Sequence, residues 1–283
     1  MTLIAVLLCS SVLFMTAYAA VQNVSSYETL KSALLNYNAY DNGTLRLDAK
    51  VSENGKEIVL ANLVDKLETK YTSSTVASVT VNGVTKTYGA WENKEQTIQI
   101  DYDSDKYLVH PSVHYDNYYS SYHKNLIGYS SEDWESLTSA QQKLVNAVID
   151  LAVGDVKNYF ISSGKTISLN INKNQIPQIV QLLLAYNFEQ MPDRDYIYLY
   201  DVNDIRNIIP IFIINTEIDS ANMAITLADN NQITGCELAV IIKGTDTQGI
   251  SHKFVYEMNL SITDFGTTKA DTVDLNDKNI IVD

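Results

Sequence analysis

The chain has 283 residues, of which 46% are hydrophobic and 19% charged, an ordinary composition for a globular protein with a substantial core. Its formal net charge of -14 and the lack of any Lys/Arg cluster argue against nucleic acid or an anionic membrane surface as a partner. The sequence has no glycine-flanked serine motif, no phosphate-binding glycine loop and no closely spaced pair of cysteines. It therefore carries no complete catalytic signature.

The N-terminal segment differs in kind from the rest of the chain. Residues 3–14 are almost wholly apolar and Ala17-Tyr18-Ala19 is a small-x-small cleavage pattern, so we predict a secretory signal peptide over 1–20, cleaved after residue 19 or 20. The apolar run is shorter than the about 20 residues of a membrane-spanning helix. We therefore expect a secreted or extracytoplasmic chain without a transmembrane span after cleavage. Because no Lys or Arg precedes the apolar run, the sequence leaves open whether the true start lies upstream of Met1.

We predict a single α+β domain over 21–270, followed by a polar C-terminal tail over 271–283. The domain opens with a capping-box match at Ser25 and an apolar helical face, which predict a first helix. A strand is predicted at 45–51, and residues 58–67 fit either strand or helix. The Asn82-Gly83 dipeptide strongly predicts a hairpin. The further strands predicted in this half are 78–81, 84–87, 96–102 and 106–110.

The middle of the chain is predicted to carry two amphipathic helices. After a Tyr- and Ser-rich loop at 111–134, an apolar stripe predicts a helix at 139–161 that is ended by Gly164. A short strand at 167–171 follows, and Asn174 is expected to cap a second helix at 174–188.

The most regular pattern lies at 222–264, where apolar and polar residues alternate. Successive strand side chains point to opposite faces, so this period of two predicts three antiparallel strands with one apolar and one wet face. We expect the helices to cover the apolar face. Its predicted inward residues are Met223, Ile225, Leu227, Cys236, Leu238, Val240, Ile242, Phe254, Tyr256, Met258, Leu260 and Ile262.

Two clusters have metal-ligand residue types, and we predict that neither binds a metal. Asp101, Asp103 and Asp105 have the alternate spacing of a calcium loop, but Ser112 stands where the bidentate glutamate should be. A second cluster matches no catalytic zinc spacing. It consists of His110, His114, Asp116 and His123.

Two further residue types allow alternative interpretations. Cys236 is the one cysteine left after cleavage, and we expect it to be buried as a small apolar residue rather than to act as a reactive or intermolecular thiol. Tyrosines are abundant, with 19 in the chain. Tyr118, Tyr119 and Tyr122 in the loop are candidates for a surface contact with a protein partner.

Two pairs of segments resemble exported envelope proteins of Gram-positive bacteria: residues 137–145 with 154–160, and residues 244–249 with 262–268. In element order these proteins are similar to the lipoprotein-carrier superfamily, the localisation-factor-like proteins. The resemblance implies a strongly curved antiparallel sheet, a half-open barrel, with helices on its concave side. It implies no catalytic residue, and this chain lacks a convincing lipobox and an Arg-rich interior.

Together these patterns predict an α+β protein with a single curved antiparallel sheet and helices packed on its concave face. We expect a non-enzymatic secreted or envelope protein without a cofactor, binding an apolar small molecule, a lipid or an envelope partner between sheet and helices. The alternatives are an adhesion or sensor module that uses the 111–134 loop, and a hydrolase with scattered carboxylates. The predicted ligand-lining residues are Val148, Leu151, Leu183, Leu184, Leu238, Phe254, Tyr256 and Met258.

Overall fold

The structure is a computed structural model, and it describes most of the sheet-forming part of the chain. The described residues are 25–35, 42–69, 71–111, 138–140, 142–143, 154–178, 180–182, 214–246 and 248–282. They form one open sheet of 12 strands, half-barrel-like, with helices as a minor part. The predicted class, a single sheet that is mainly antiparallel, is confirmed.

The elements follow one another in a simple order. Helix α1 spans Ser25–Leu35 and precedes six strands; short 3-10 turns at Gly154–Tyr159 and Lys173–Gln175 flank the next two strands. The strands are β1 (Gly43–Glu53), β2 (Lys56–Thr69), β3 (Thr72–Val81), β4 (Val84–Glu92), β5 (Gln96–Asp101), β6 (Lys106–Pro111), β7 (Phe160–Ser163), β8 (Thr166–Asn172), β9 (Ile214–Leu227), β10 (Ile233–Thr245), β11 (Ser251–Thr263) and β12 (Asn279–Val282).

The strand order across the sheet is β12-β6-β5-β4-β3-β2-β1-β11-β10-β9-β8-β7. Neighbours are mostly consecutive in the chain, as short hairpin connections require. The pairing of β1 with β11 joins the N-terminal hairpins to the C-terminal meander, and β12 pairs with β6 in parallel.

Tight turns set the hairpins of the N-terminal half. Asn82 and Gly83 have φ of 49° and 82°, the left-handed pair that a two-residue hairpin needs. Asn54 and Gly55 repeat this with φ of 49° and 85° between β1 and β2. The segment 58–67, which fits either helix or strand by sequence, belongs to β2.

The prediction of a helix over 139–161 is wrong for the C-terminal end of that range. Residues Gly154–Tyr159 form a 3-10 turn, and Phe160 begins β7. Gly164, predicted to end the helix, has φ of 61° in the turn between β7 and β8. The pairing of Phe160 with Leu169 explains the difference, because sheet pairing overrides a local helical pattern.

The start of the second predicted helix also differs. Asn172, rather than Asn174, is the capping residue, and it caps the 3-10 turn Lys173–Gln175 through a capping box. Residues 178 and 180–182 are helical, while 183–188 lie outside the described residues. No helix in the described ranges has the length and hydrophobicity to cross a membrane.

The predicted three-strand meander at 222–264 is confirmed by β9, β10 and β11, with β9 beginning earlier, at Ile214. The predicted inward residues are buried, apart from Leu260, which is partly buried. We call the side of the sheet on which these residues lie the meander face.

The apolar residues change sides across the sheet. Directly paired residues share a face, and one such row on the meander face consists of Leu63, Ala77, Tyr88 and Asp101. Ile98 and Ile100 on β5 alternate with this row and therefore lie on the opposite face. There they form a second apolar cluster with Tyr107.

Residues 268–282, which we call the C-terminal strap, run along the opposite face. Asp271 receives hydrogen bonds from Lys66 Nζ at 2.6 Å and Ser74 Oγ at 3.4 Å. Val273 and Leu275 pack on the second apolar cluster, and the strap ends in β12. The segment predicted as a polar tail therefore supplies a strand and part of the cover of an apolar cluster.

Candidate functional site

The meander face carries an apolar row that crosses six strands. Leu238 on β10 lies between Met258 on β11 and Met223 on β9. The row continues to Leu169 and Phe160 on one side. On the other side it reaches Ala49 on β1. Because paired residues share a face, these side chains form one continuous apolar strip.

A second and a third row run beside the first. Tyr256 lies opposite Val240 and Val51, and Phe254 lies opposite Ile242. The rings of Phe254 and Tyr256 have centroids 6.2 Å apart and an interplanar angle of 33°. This spacing is within the range of favourable aromatic pairs, so the rings stabilise this end of β11 as well as filling space.

Helix α1 packs against the core of this face. Tyr27 and Leu30 are 1% and 0% exposed and belong to the same apolar cluster as the meander residues. The centroids of the Tyr27 and Phe160 rings are 5.7 Å apart, and the interplanar angle is 48°. Val156 and Val180, from the helical segments next to β7 and β8, join the cluster. Leu30 and Ala33 belong to the apolar pattern that predicted α1 and are buried, whereas that pattern did not include Tyr27.

The structure brings together all the predicted lining residues that it describes. Leu238, Phe254, Tyr256 and Met258 are between 0% and 6% exposed and share one cluster. Their role as ligand contacts stays a prediction. The remaining predicted contact residues lie outside the described residues: Val148, Leu151, Leu183, Leu184, Tyr118, Tyr119 and Tyr122.

A polar group of three residues lies at one end of the meander face, and we call it the His252 clasp. His252 Nδ1 is 2.5 Å from Glu53 Oε1 on β1, and its Nε2 is 3.1 Å from Asp246 Oδ2 in the β10–β11 turn. The imidazole stacks on Phe254, with ring centroids 6.1 Å apart and an interplanar angle of 23°. The clasp therefore borders the apolar rows directly.

The clasp perturbs the acidity of its members. Burial of His252 lowers its pKa, but hydrogen bonds and charge attraction from Glu53 and Asp246 outweigh burial, so the pKa of His252 is raised. The pKa of Asp246 is lowered, mainly by the Ile250 backbone N–H, with additional contributions from His252 and the Gln248 N–H. Both shifts favour an ion pair between these side chains.

Sequence reasoning did not identify the clasp. The alternation of β11 places His252 two residues before inward Phe254, which is the one sequence signal that this histidine faces inward. Its partner Glu53 is 199 residues away in the sequence. Only the pairing of β1 with β11 brings the two together.

Cys236 is part of the core. It is 4% exposed, lies opposite Leu260 and Ile225, and burial raises the pKa of its thiol to about 12. A thiol of this kind is almost never a thiolate near neutral pH, so it is a poor nucleophile. The structure therefore supports the prediction of a buried apolar cysteine over the reactive-thiol alternative.

The three spaced aspartates bind different partners. Asp101 accepts hydrogen bonds from the Asp103 and Ser104 amides and from Ser104 Oγ. The bond from Ser104 Oγ contributes most to lowering the pKa of Asp101. Asp103 accepts from the Thr87 amide, and Asp105 from Lys278 Nζ at 3.1 Å. In the part of the chain that the structure describes, no three His, Cys, Asp or Glu side chains converge as a metal site. His114, Asp116 and His123 lie outside that part.

Two solved structures resemble the chain weakly. No family model and no curated protein matches the chain. The chain is similar to a structure titled "Lipid-protein interactions in lipovitellin", at 9% identity and a TM-score of 0.26, covering 84% of this chain and 27% of that one. It is also similar to a LolA superfamily protein from Nitrosomonas europaea, at 9% identity and a TM-score of 0.21, covering 89% and 96% of the two chains. At these TM-scores neither likeness carries an argument about function.

Proposed function

We propose that this chain is a secreted or cell-envelope protein, not an enzyme, that binds a lipid or another apolar molecule between the meander face and the helices. The observation that carries the proposal is the continuous apolar strip that crosses the six strands from β7 to β1. Neighbouring strands lie about 4.8 Å apart, so these six strands present an apolar face about 24 Å wide. Helix α1 packs on β7 and β8 at one end of this face. Because a helix is about 10–12 Å across, α1 does not span the strip by itself.

The composition of the strip also supports a binding role. Met223 and Met258 flank Leu238, and unbranched methionine side chains adapt to apolar partners of varied shape. Ala49 and Ala221 are the small members of neighbouring rows. Small side chains beside adaptable ones leave depth that an acyl chain can fill once the covering layer moves.

The non-enzymatic part of the proposal depends on the chemistry of the candidate groups. The Cys236 thiol is buried, with its pKa raised to about 12, and the sequence has no glycine-flanked serine. The extracytoplasmic part depends on the apolar segment and cleavage pattern at 1–20. N-terminal sequencing of the exported protein tests the latter, since a mature chain that retains residues 1–19 would contradict it.

Ligand binding is tested by native mass spectrometry of gently purified protein and by titration with a fluorescent fatty acid. We expect a co-purified apolar molecule that the fatty acid displaces. Ala49→Leu is the informative variant, because it adds volume beside Met258. If the strip holds a ligand, Ala49→Leu weakens binding with little change in stability. If the strip is a dry core, it overpacks the core and destabilises the fold by about 1–3 kcal/mol.

Ala239→Leu is the matched control, because Ala239 lies on β10 but on the opposite face from Leu238 and is only partly buried. It should leave both binding and stability unchanged. The proposal would be contradicted if no molecule co-purifies and the wild-type protein binds no fatty acid.

A further inference from the structure

The His252 clasp connects two hairpin ends that are distant in sequence. Glu53 is the last residue of β1, and Asp246 opens the turn between β10 and β11. The carboxylate of Asp246 also organises that turn, since its Oδ1 accepts hydrogen bonds from the Gln248 and Ile250 amides at 2.8 and 2.9 Å. A single imidazole thus bridges the β1–β2 hairpin end and a turn that Asp246 itself shapes.

We propose that the His252 clasp is a proton-dependent latch that holds the β1–β2 hairpin end to the β10–β11 turn when the imidazole is protonated and loosens when it is neutral. Both ring nitrogens face carboxylate oxygens, at 2.5 and 3.1 Å. Only the imidazolium ion has two N–H donors. A neutral ring directs a lone pair at one of the two carboxylates, which replaces a charge-assisted hydrogen bond by repulsion.

The backbone next to the clasp defines what the latch moves. The Asn54 amide donates to the Lys253 carbonyl at 2.9 Å, and the Lys253 amide donates to Asn54 Oδ1 at 3.3 Å. These bonds join the same two ends as the clasp and lie where β1 ends and β11 begins. Strand ends open locally at a lower free energy than strand centres. Exchange of the Asn54 amide hydrogen therefore reports on the latch.

The charged groups around the ring agree with this behaviour. Among the described residues, Glu53 from β1 and Asp246 from the turn contact the ring, and Lys56 is the cross-strand partner of Glu53 in the β1–β2 hairpin. Lys253 is adjacent in β11 and points to the opposite face. The side-chain exposures of His252 and Asp246 are 12% and 13%, so solvent screens their attraction only in part.

The pH range of the latch follows from the two shifts. The pKa of His252 is raised, so the stability that His252 contributes to the folded state is fully present below the pKa of an unfolded histidine, about 6.5. That contribution is lost as pH rises through the raised pKa. The pKa of Asp246 is lowered, so its stabilisation is complete above the unfolded value, about 3.9, and is lost as pH falls through the lowered one. The latch should therefore be closed in mildly acidic solution.

The latch is tested on the full chain by NMR titration of His252 and by hydrogen exchange of the Asn54 amide at pH 5.5 and 8.5, expressed as protection relative to an unstructured peptide at the same pH. We expect both His252 nitrogens to be protonated at pH 5.5, a titration midpoint above 6.5, and about tenfold lower Asn54 protection at pH 8.5, the effect of losing one charge-assisted hydrogen bond.

His252→Gln removes the titration and should make Asn54 protection independent of pH, whereas His110→Gln, on β6, should leave the wild-type pH dependence intact. Equal wild-type protection at the two pH values, or a His252 midpoint at or below 6.5, would overturn the proposal. So would an unchanged pH dependence in His252→Gln. The NMR titration uses the wild-type protein, so it decides the question even if that variant does not fold.

Discussion

Replacing Phe254 by alanine measures how tightly the meander face is packed. Phe254 is 0% exposed, and its ring contacts those of His252 and Tyr256. Truncating a buried phenylalanine costs about 3–5 kcal/mol, because both transfer free energy and packing contacts are lost. For a chain of this size each kcal/mol lowers Tm by about 2–4 °C, so we expect Phe254→Ala to lower Tm by roughly 6–20 °C.

Thermal unfolding followed by circular dichroism, together with urea unfolding, measures this loss. Phe265→Ala is the matched control: Phe265 lies in the turn after β11 and is 38% exposed, so its truncation should cost less than about 1 kcal/mol. Equal effects of the two substitutions would refute the assignment of Phe254 to a packed core. A loss at Phe254 of less than about 1 kcal/mol would indicate that this end of the face borders space rather than side chains.

Three further predictions address other parts of the fold. Native Cys236 should resist a thiol reagent at pH 8 and react once the protein is unfolded in urea; rapid native labelling would contradict its burial. Gly83→Ala should destabilise by about 1 kcal/mol because φ at Gly83 is 82°, whereas Gly235→Ala should be neutral, since its φ is ordinary and the nearest atom to an added Cβ is 3.5 Å away. Leu275→Asp should release the C-terminal strap to limited proteolysis while Thr272→Asp, at an exposed position, should not; equal cleavage of the two variants would refute the packing of Leu275.

The strongest local patterns in the sequence predicted local structure well. Alternation over 222–264 identified the meander and the inward position of Phe254, because a strand places successive side chains on opposite faces. Asn82-Gly83 identified its hairpin because the turn needs left-handed backbone at two positions. The capping box at Ser25 marked the start of α1.

The errors occur where tertiary contacts outweigh local preference. The segment 154–160 has a helical apolar pattern, yet Phe160 pairs with Leu169 in the sheet. The strap is polar in sequence, yet Leu275 packs on the second apolar cluster and β12 pairs with β6 in parallel. A four-residue strand is too short to show a reliable period of two.

The sequence by itself determined which residues alternate, where the chain turns, and that one face of the meander is apolar, since each depends on neighbours within a few residues. Only the tertiary structure decided that β1 lies beside β11, that the apolar clusters occupy opposite faces, and that His252 bridges Glu53 and Asp246. The physical reason is the same in each case. These features depend on pairings between strands up to about two hundred residues apart, and local propensity contains no information about which distant strand is the partner.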